Sequence, residues 1–216
     1  MRTRRYGPRY KVPFRRRREG RTDYRARYKM ILSGKTRVVV RKSKRNIVVQ
    51  FVNARLDGDE TVITARSIEL RKFGWKFSGG NTPAAYLTGF LAGVKAIKKG
   101  ITEAILDIGP QRSTRGSRLY AALKGLIDAG VSIPYNEEIL PSVSRIKGEH
   151  IESYARMLKE NNPELFNKQF SNYVKQGLEP EKISEIFEKT LNEIAKAYGA
   201  EVPQLEEEIE EEFEEE

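Results

Sequence analysis

The 216 residues include no cysteine, one histidine and one tryptophan. Without cysteine there is neither a disulfide framework nor a thiolate metal site. His150 alone cannot build a histidine-rich metal centre or supply a nucleophile triad, so it reads as structural. No apolar run approaches the roughly 20 residues of a membrane helix. The Met1 region also lacks the apolar stretch of a secretory signal, so the expectation is a soluble, cytoplasmic chain. An organelle-targeting start is a poor fit too, because Pro8, Pro13 and an unbroken Arg run do not make an amphipathic helix.

Negative charge is scarce in front. The first 45 residues carry 19 Lys and Arg against only Glu19 and Asp23. So dense a cluster within one Debye length repels itself unless a polyanion neutralises it. Arg15, Arg16, Arg17 and Arg18 follow Tyr6, Tyr10 and Phe14, which sets guanidinium forks for phosphate beside rings able to stack on bases. RNA is the expected partner. Acid is concentrated instead at residues 206–216, which hold nine Glu with only Ile209 and Phe213 between them. That tail is expected to be disordered and to compete with RNA for the basic arm.

The patterning divides the chain into a basic arm (residues 1–21), an α/β core (22–134), a helical extension (135–200) and an acidic tail (201–216). The arm lacks any hydrophobic period and is expected to be extended. Thr22 is a candidate N-cap for a helix carrying Tyr24, Tyr28, Ile31 and Leu32 on one stripe, which makes both tyrosines packing residues. Three β-rich segments follow at 36–42, 46–54 and 60–66, with turns at 43–45 and 56–59, and they read as an antiparallel meander. In the middle segment Ile47, Val49 and Phe51 alternate with Val48, Gln50 and Val52, so this strand is expected to be covered on both faces.

Thr82 as cap and Pro83 at the first position open a helix whose stripe runs from Tyr86 to Ile97. A short strand over 104–108 and a helix from Leu119 to Ile127 complete an α/β sandwich. Beyond Pro134 only helical periods recur: one around Ile151 to Leu158, one from Leu165 to Tyr173, and one from Ile183 to Tyr198. Trp75 reads as a structural anchor.

Three blocks in order, Tyr10 to Tyr24 (YKVPFRRRREGRTDY), Asn81 to Ala92 (NTPAAYLTGFLA) and Leu106-Asp107-Ile108-Gly109 with Thr114 to Pro134 (TRGSRLYAALKGLIDAGVSIP), resemble the large-subunit ribosomal protein L-eighteen family in its archaeal and eukaryotic form. The resemblance covers roughly residues 6–160. It implies a non-catalytic protein that binds 5S ribosomal RNA and attaches it to the large ribosomal RNA at the central protuberance, beside neighbouring ribosomal proteins. It also implies an α/β sandwich of the ribonuclease H-like, translational-machinery type. Bacterial members stop near the position of Ile133, so the C-terminal helices belong to the longer branch. No family motif matches the acidic tail.

The expected RNA-binding residues are Arg4, Arg5, Tyr6, Arg9, Tyr10, Lys11, Phe14, Arg15 to Arg18 and Arg21 in the arm, with Arg25 and Arg27 on the helix after it. Arg41, Lys42, Lys44 and Arg45 at the first hairpin form a second group. Arg112, Thr114, Arg115 and Arg118 surround a strand-to-helix loop whose free N–H groups suit an anion. Gly79-Gly80-Asn81 also precedes a helix but lacks the glycine spacing of a nucleotide loop. The alternative is a metal-dependent nuclease in which Asp57, Asp59 and Asp107 meet at a sheet edge and hold magnesium. No cofactor is expected on the first reading.

Overall fold

Alternating β-branched residues become a four-stranded sheet in the order β3-β2-β1-β4. The structure, a computed structural model, describes residue 7 and residues 10–205. Arg4, Arg5, Tyr6, Arg9 and the Glu-rich segment 206–216 lie outside the described residues. Strands β1 (Arg37–Lys42), β2 (Ile47–Ala54) and β3 (Asp59–Arg66) form the expected antiparallel meander. Strand β4 (Ile105–Asp107) returns parallel to β1, pairing Arg37 with Ile105 and Val39 with Asp107.

Helix α1 (Arg15–Arg18) is a single turn in the arm, and α2 (Tyr24–Leu32) precedes the sheet. The arm is therefore not extended throughout, because four consecutive Arg form a helical turn stabilised by the Arg15–Glu19 pair at 3.0 Å. Asp23, rather than Thr22, caps α2 and accepts from the Arg25 and Ala26 amides at 2.9 and 3.1 Å.

After β3 a 3-10 helix (Ser67–Phe73) leads to α3 (Thr82–Lys98), and α4 (Arg118–Asp128) follows β4. Asn81 caps α3, accepting from the Ala84 amide at 2.9 Å, while Thr82 and Pro83 occupy its first turn. Helix α3 is buried nearly all round, because the sheet lies under it, α4 packs beside it, and later helices cover the rest. Glycines permit the α3–α4 approach: a Cβ on Gly89 would stand 2.0 Å from the Ala122 carbonyl oxygen, and one on Gly125 would stand 2.3 Å from that of Tyr86. Only backbone without side chains fits so close a crossing.

Helices α3 and α4 lie on one face of the sheet, against Ile47, Val49 and Phe51, which are fully buried. On the other face Val48 and Gln50 are only half-buried. The expected covering of both sides is thus complete on one side and partial on the other, where Val52 is buried but α2 leaves a cavity over Val39 and Gln50.

The remaining helices are α5 (Val143–Lys147), α6 (Glu149–Asn161), α7 (Pro163–Gln169), α8 (Ser171–Lys175) and α9 (Ile183–Tyr198). The period from Leu165 to Tyr173 is divided at Phe170, where φ −100° and ψ 20° interrupt the helix. Helix α9 joins the main core: Ile183, Phe187, Leu191 and Ile194 are buried in it, and the Phe187 ring lies 5.6 Å from Tyr86. The Tyr86 hydroxyl donates to Asp128 at 2.7 Å, and burial followed by that carboxylate pushes its ionisation far upward. Trp75 is an anchor as expected, 1% exposed, with its indole N–H donating to the Ser78 carbonyl.

Candidate nucleic-acid interface

The described part of the arm reaches the half-covered face of the sheet, where Arg16 and Arg21 line a cavity with Val39 and Gln50. Phe14 meets Tyr24 with ring centroids 5.0 Å apart, yet 70% of Phe14 is exposed. Arg16 donates to the Thr22 hydroxyl at 2.9 Å, and Arg21 lies 3.3 Å from Glu19. Arg17, Arg18 and Lys11 point outward with no side-chain partner among the described residues.

Helix α2 is oriented opposite to its apolar stripe. It buries no residue; Tyr28 is 63% and Leu32 67% exposed, and Ile31 is exposed as well. The inward side is instead Asp23, Ala26, Arg27 and Met30, which line a cavity of about 390 Å³ beneath the helix. Tyr28 is therefore not a packing residue, because an ion pair orients the helix: Arg27 reaches Asp59 at 3.0 Å. Nine residues alone would make a marginal helix. Arg25 stays on the outer side beside Tyr28.

Under α2 the sheet carries a charge network that sequence reasoning missed at its centre. Arg37, its side chain 3% exposed, has Nη1 3.2 Å from Asp107 Oδ2 and Nη2 2.8 Å from Asp59 Oδ1. The second contact is too bent for a hydrogen bond, and the buried Nε has no acceptor among the described residues. Arg41 donates to the Asp107 carboxylate at 3.2 Å and carbonyl at 2.7 Å, and the Gly109 amide donates to the same carboxylate at 2.8 Å. The only signal in the sequence was an Arg in a strand of Val.

This network overturns the nuclease alternative. Asp59 and Asp107 do approach each other, but the Arg37 guanidinium occupies the space between them, where a divalent cation would meet like charge. Asp57 sits in the β2–β3 turn, where Arg55 accepts an amide from Gly58 and donates one back. Among the described residues no three His, Cys, Asp or Glu side chains converge as a metal site.

The β1–β2 turn is closed by Ser43, whose amide and hydroxyl both donate to the Asn46 carbonyl, at 2.8 and 2.9 Å. This leaves Lys44 and Arg45 exposed at the tip, with Lys42 half-buried beside them. Arg118 holds the turn from behind: its Nη1 donates to the Gly80 carbonyl and, at 3.3 Å, to the Ser43 carbonyl. Arg115 donates to the Glu138 carbonyl at 2.9 Å, while Arg112 and Thr114 are exposed. Ser117 precedes α4 without capping it, and its buried hydroxyl has no partner among the described residues.

The expected residues thus separate by environment. Arg27, Arg41 and Arg118 are tied to Asp59, Asp107 and backbone carbonyls. Lys11, Arg17, Arg18, Arg25, Lys42, Lys44, Arg45 and Arg112 carry no side-chain partner among the described residues. Arg71 and Lys76, on and just after the 3-10 helix, are equally free, and their sparse spacing hid them in the sequence.

Comparison with known proteins places the chain among ribosomal proteins. Residues 8–103 and 94–136 match the family described as ribosomal large subunit proteins 60S L5 and 50S L18. A protein of Aeropyrum pernix named large ribosomal subunit protein uL18 is 52% identical over 193 residues, 89% of this chain and 90% of that protein. One of the same name from Korarchaeum cryptofilum is 54% identical over 187 residues, covering 87% of this chain and 95% of its own. Another from Thermofilum pendens is 51% identical over 191 residues, 88% and 97% of the two chains.

Proposed function

This chain belongs to the family of ribosomal large subunit proteins 60S L5 and 50S L18, and from that premise we propose that it binds 5S ribosomal RNA and attaches it to the large ribosomal RNA in the central protuberance. It is a large-subunit ribosomal protein of archaeal type, a structural component and not an enzyme. The observation that supports RNA binding is the set of cations, unpartnered among the described residues, spread over the arm, the β1–β2 turn and the loop before α4, while 5S RNA in particular follows from the family premise. Free guanidinium and ammonium groups gain most from phosphate, because they give up no protein partner on binding. Phe14 and Tyr28 add exposed rings next to Arg18 and Arg25, suited to bases splayed from loops and bulges. Arg27, Arg41 and Arg118 serve this surface by holding α2, β1 and the turn in place.

Equilibrium binding of the full chain to 5S RNA across a salt series tests the reading. Replacing Arg15 to Arg18 together by Ala is expected to lower the log–log salt slope by roughly 1.4 to 3.6, the equivalent of two to four lost phosphate contacts. Footprinting should show one compact protected region of 5S RNA. An unchanged slope together with diffuse protection would remove the arm from the interface.

A further inference from the structure

A groove of about 750 Å³ lies away from the described part of the arm, between the β1–β2 turn, the 3-10 helix, the loop before α3, and α7–α8. Its charge is one-sided: Arg45, Arg71 and Lys76 line it, and no carboxylate does. None of the three has an ion pair among the described residues. Amides from Gln169, Asn172 and Gln176 form the opposite wall. Asn81, also on the lining, uses its carbonyl oxygen to cap α3, which fixes the amide plane and leaves its buried NH₂ with no acceptor among the described residues. Three cations facing one groove, with no carboxylate among its lining residues, call for an anionic oxygen.

The walls are already in position. Tyr173 on α8 accepts the Ser78 amide at 3.1 Å and meets Phe77 edge-on with centroids 5.2 Å apart, so the C-terminal helices are locked to the loop before α3. Gly80 packs against the Lys44 carbonyl, where a Cβ would come within 2.5 Å, and this joins the groove to the turn tip.

We infer that this groove binds the sugar–phosphate backbone of a single RNA strand, with Arg71 and Lys76 contacting consecutive phosphates and Arg45 linking the groove to the turn. The inference rests on the ribosomal reading above and adds to it a second RNA contact, built by the helices beyond Pro134. A single strand fits better than a duplex, because a concave cleft meets the convex outside of an A-form helix poorly. Buried Trp75 and Phe77 form the floor and offer no open face for stacking, so backbone recognition without base preference follows. The ribosomal RNAs supply that chemistry from two sources, 5S and the large RNA, and the experiment separates them.

The full chain and the Arg71→Ala/Lys76→Ala variant are titrated against 5S RNA and against a transcript of the large ribosomal RNA, each over a salt series. Both side chains are exposed and unpartnered, and circular dichroism checks that the variant folds. A Lys189→Ala/Lys196→Ala variant removes the same charge from the exposed side of α9 as a control. Loss of two single-strand phosphate contacts lowers the slope by about 1.4, or about 25-fold in affinity at 0.1 M salt if the lines meet near 1 M. That loss on one RNA, with the control unaffected, supports the groove and identifies its source; on both, it assigns a strand in each. Equal losses in the groove variant and the control overturn it in favour of diffuse electrostatics. Unchanged binding of both RNAs by the variant, with the parent chain still tight on 5S RNA, also overturns it and leaves the groove to an acidic protein segment. Failure of the parent chain to bind 5S RNA would instead remove the functional reading itself.

Discussion

Replacing Asp107 by Ala tests whether the charge network under α2 is a structural clamp. Asp107 and Arg37 have side chains 7% and 3% exposed, and the substitution removes the acceptor of Arg37 Nη1, Arg41 Nη2 and the Gly109 amide at once. Breaking a buried pair from one side costs about 3 to 5 kcal/mol, because the partner charge stays buried. Here Asp59 remains 2.8 Å from Arg37, and Arg41 is 39% exposed and loses little, so the lower end applies. For a chain of this length about 3 kcal/mol corresponds to a fall in Tm of about 6 to 12 °C. Thermal unfolding followed by circular dichroism measures it, and the loss should persist in high salt, since ions screen buried pairs weakly. Adding Arg37→Met should recover most of the stability, because an apolar side chain of similar length needs no counter-charge. A fall under about 2 °C, or a double variant as unstable as the sum of the single ones, would refute the clamp.

Two further substitutions probe the core and one elbow of the fold. Gly89→Ala should destabilise despite a helix-propensity gain of about 1 kcal/mol, because its Cβ would meet the Ala122 carbonyl at 2.0 Å; a raised Tm in the same unfolding assay would mean the helices can separate without cost. His150 has its ionisation lowered from the ordinary 6.5, first by burial and then by Arg145. A depressed folded-state value favours the neutral form, so its stabilisation is complete above pH 6.5 and is lost as pH falls through the lower folded value. Tm should therefore drop on acidification below pH 6.5, and His150→Gln should flatten that part of the profile; parallel profiles would count against it.

Local rules carried much of the architecture. The alternation in residues 47–52 and the turn residues at 43–45 and 56–59 were enough to place the meander, because strand period and turn chemistry act within a few residues. The break at Phe170 was not legible, since the apolar period runs through it and its burial against Ala155 and Leu158 is a contact distant in sequence. Nor was the merging of α9 into the main core: its stripe is an ordinary amphipathic one that could have covered any surface.

By itself the sequence determined the charge asymmetry, the sheet order's antiparallel part and the anionic nature of the partner, because charge, period and turn signals are properties of short stretches. Tertiary structure decided which cations are free for that partner. Arg27, Arg41 and Arg118 look like Arg17, Arg25 and Arg45 in the chain, but Asp59, Asp107 and two carbonyls far away in sequence engage the first three and leave the others open. Tertiary structure likewise turned Tyr28 and Leu32 outward, because one ion pair to Asp59 fixed the face of a helix too short to bury its own stripe.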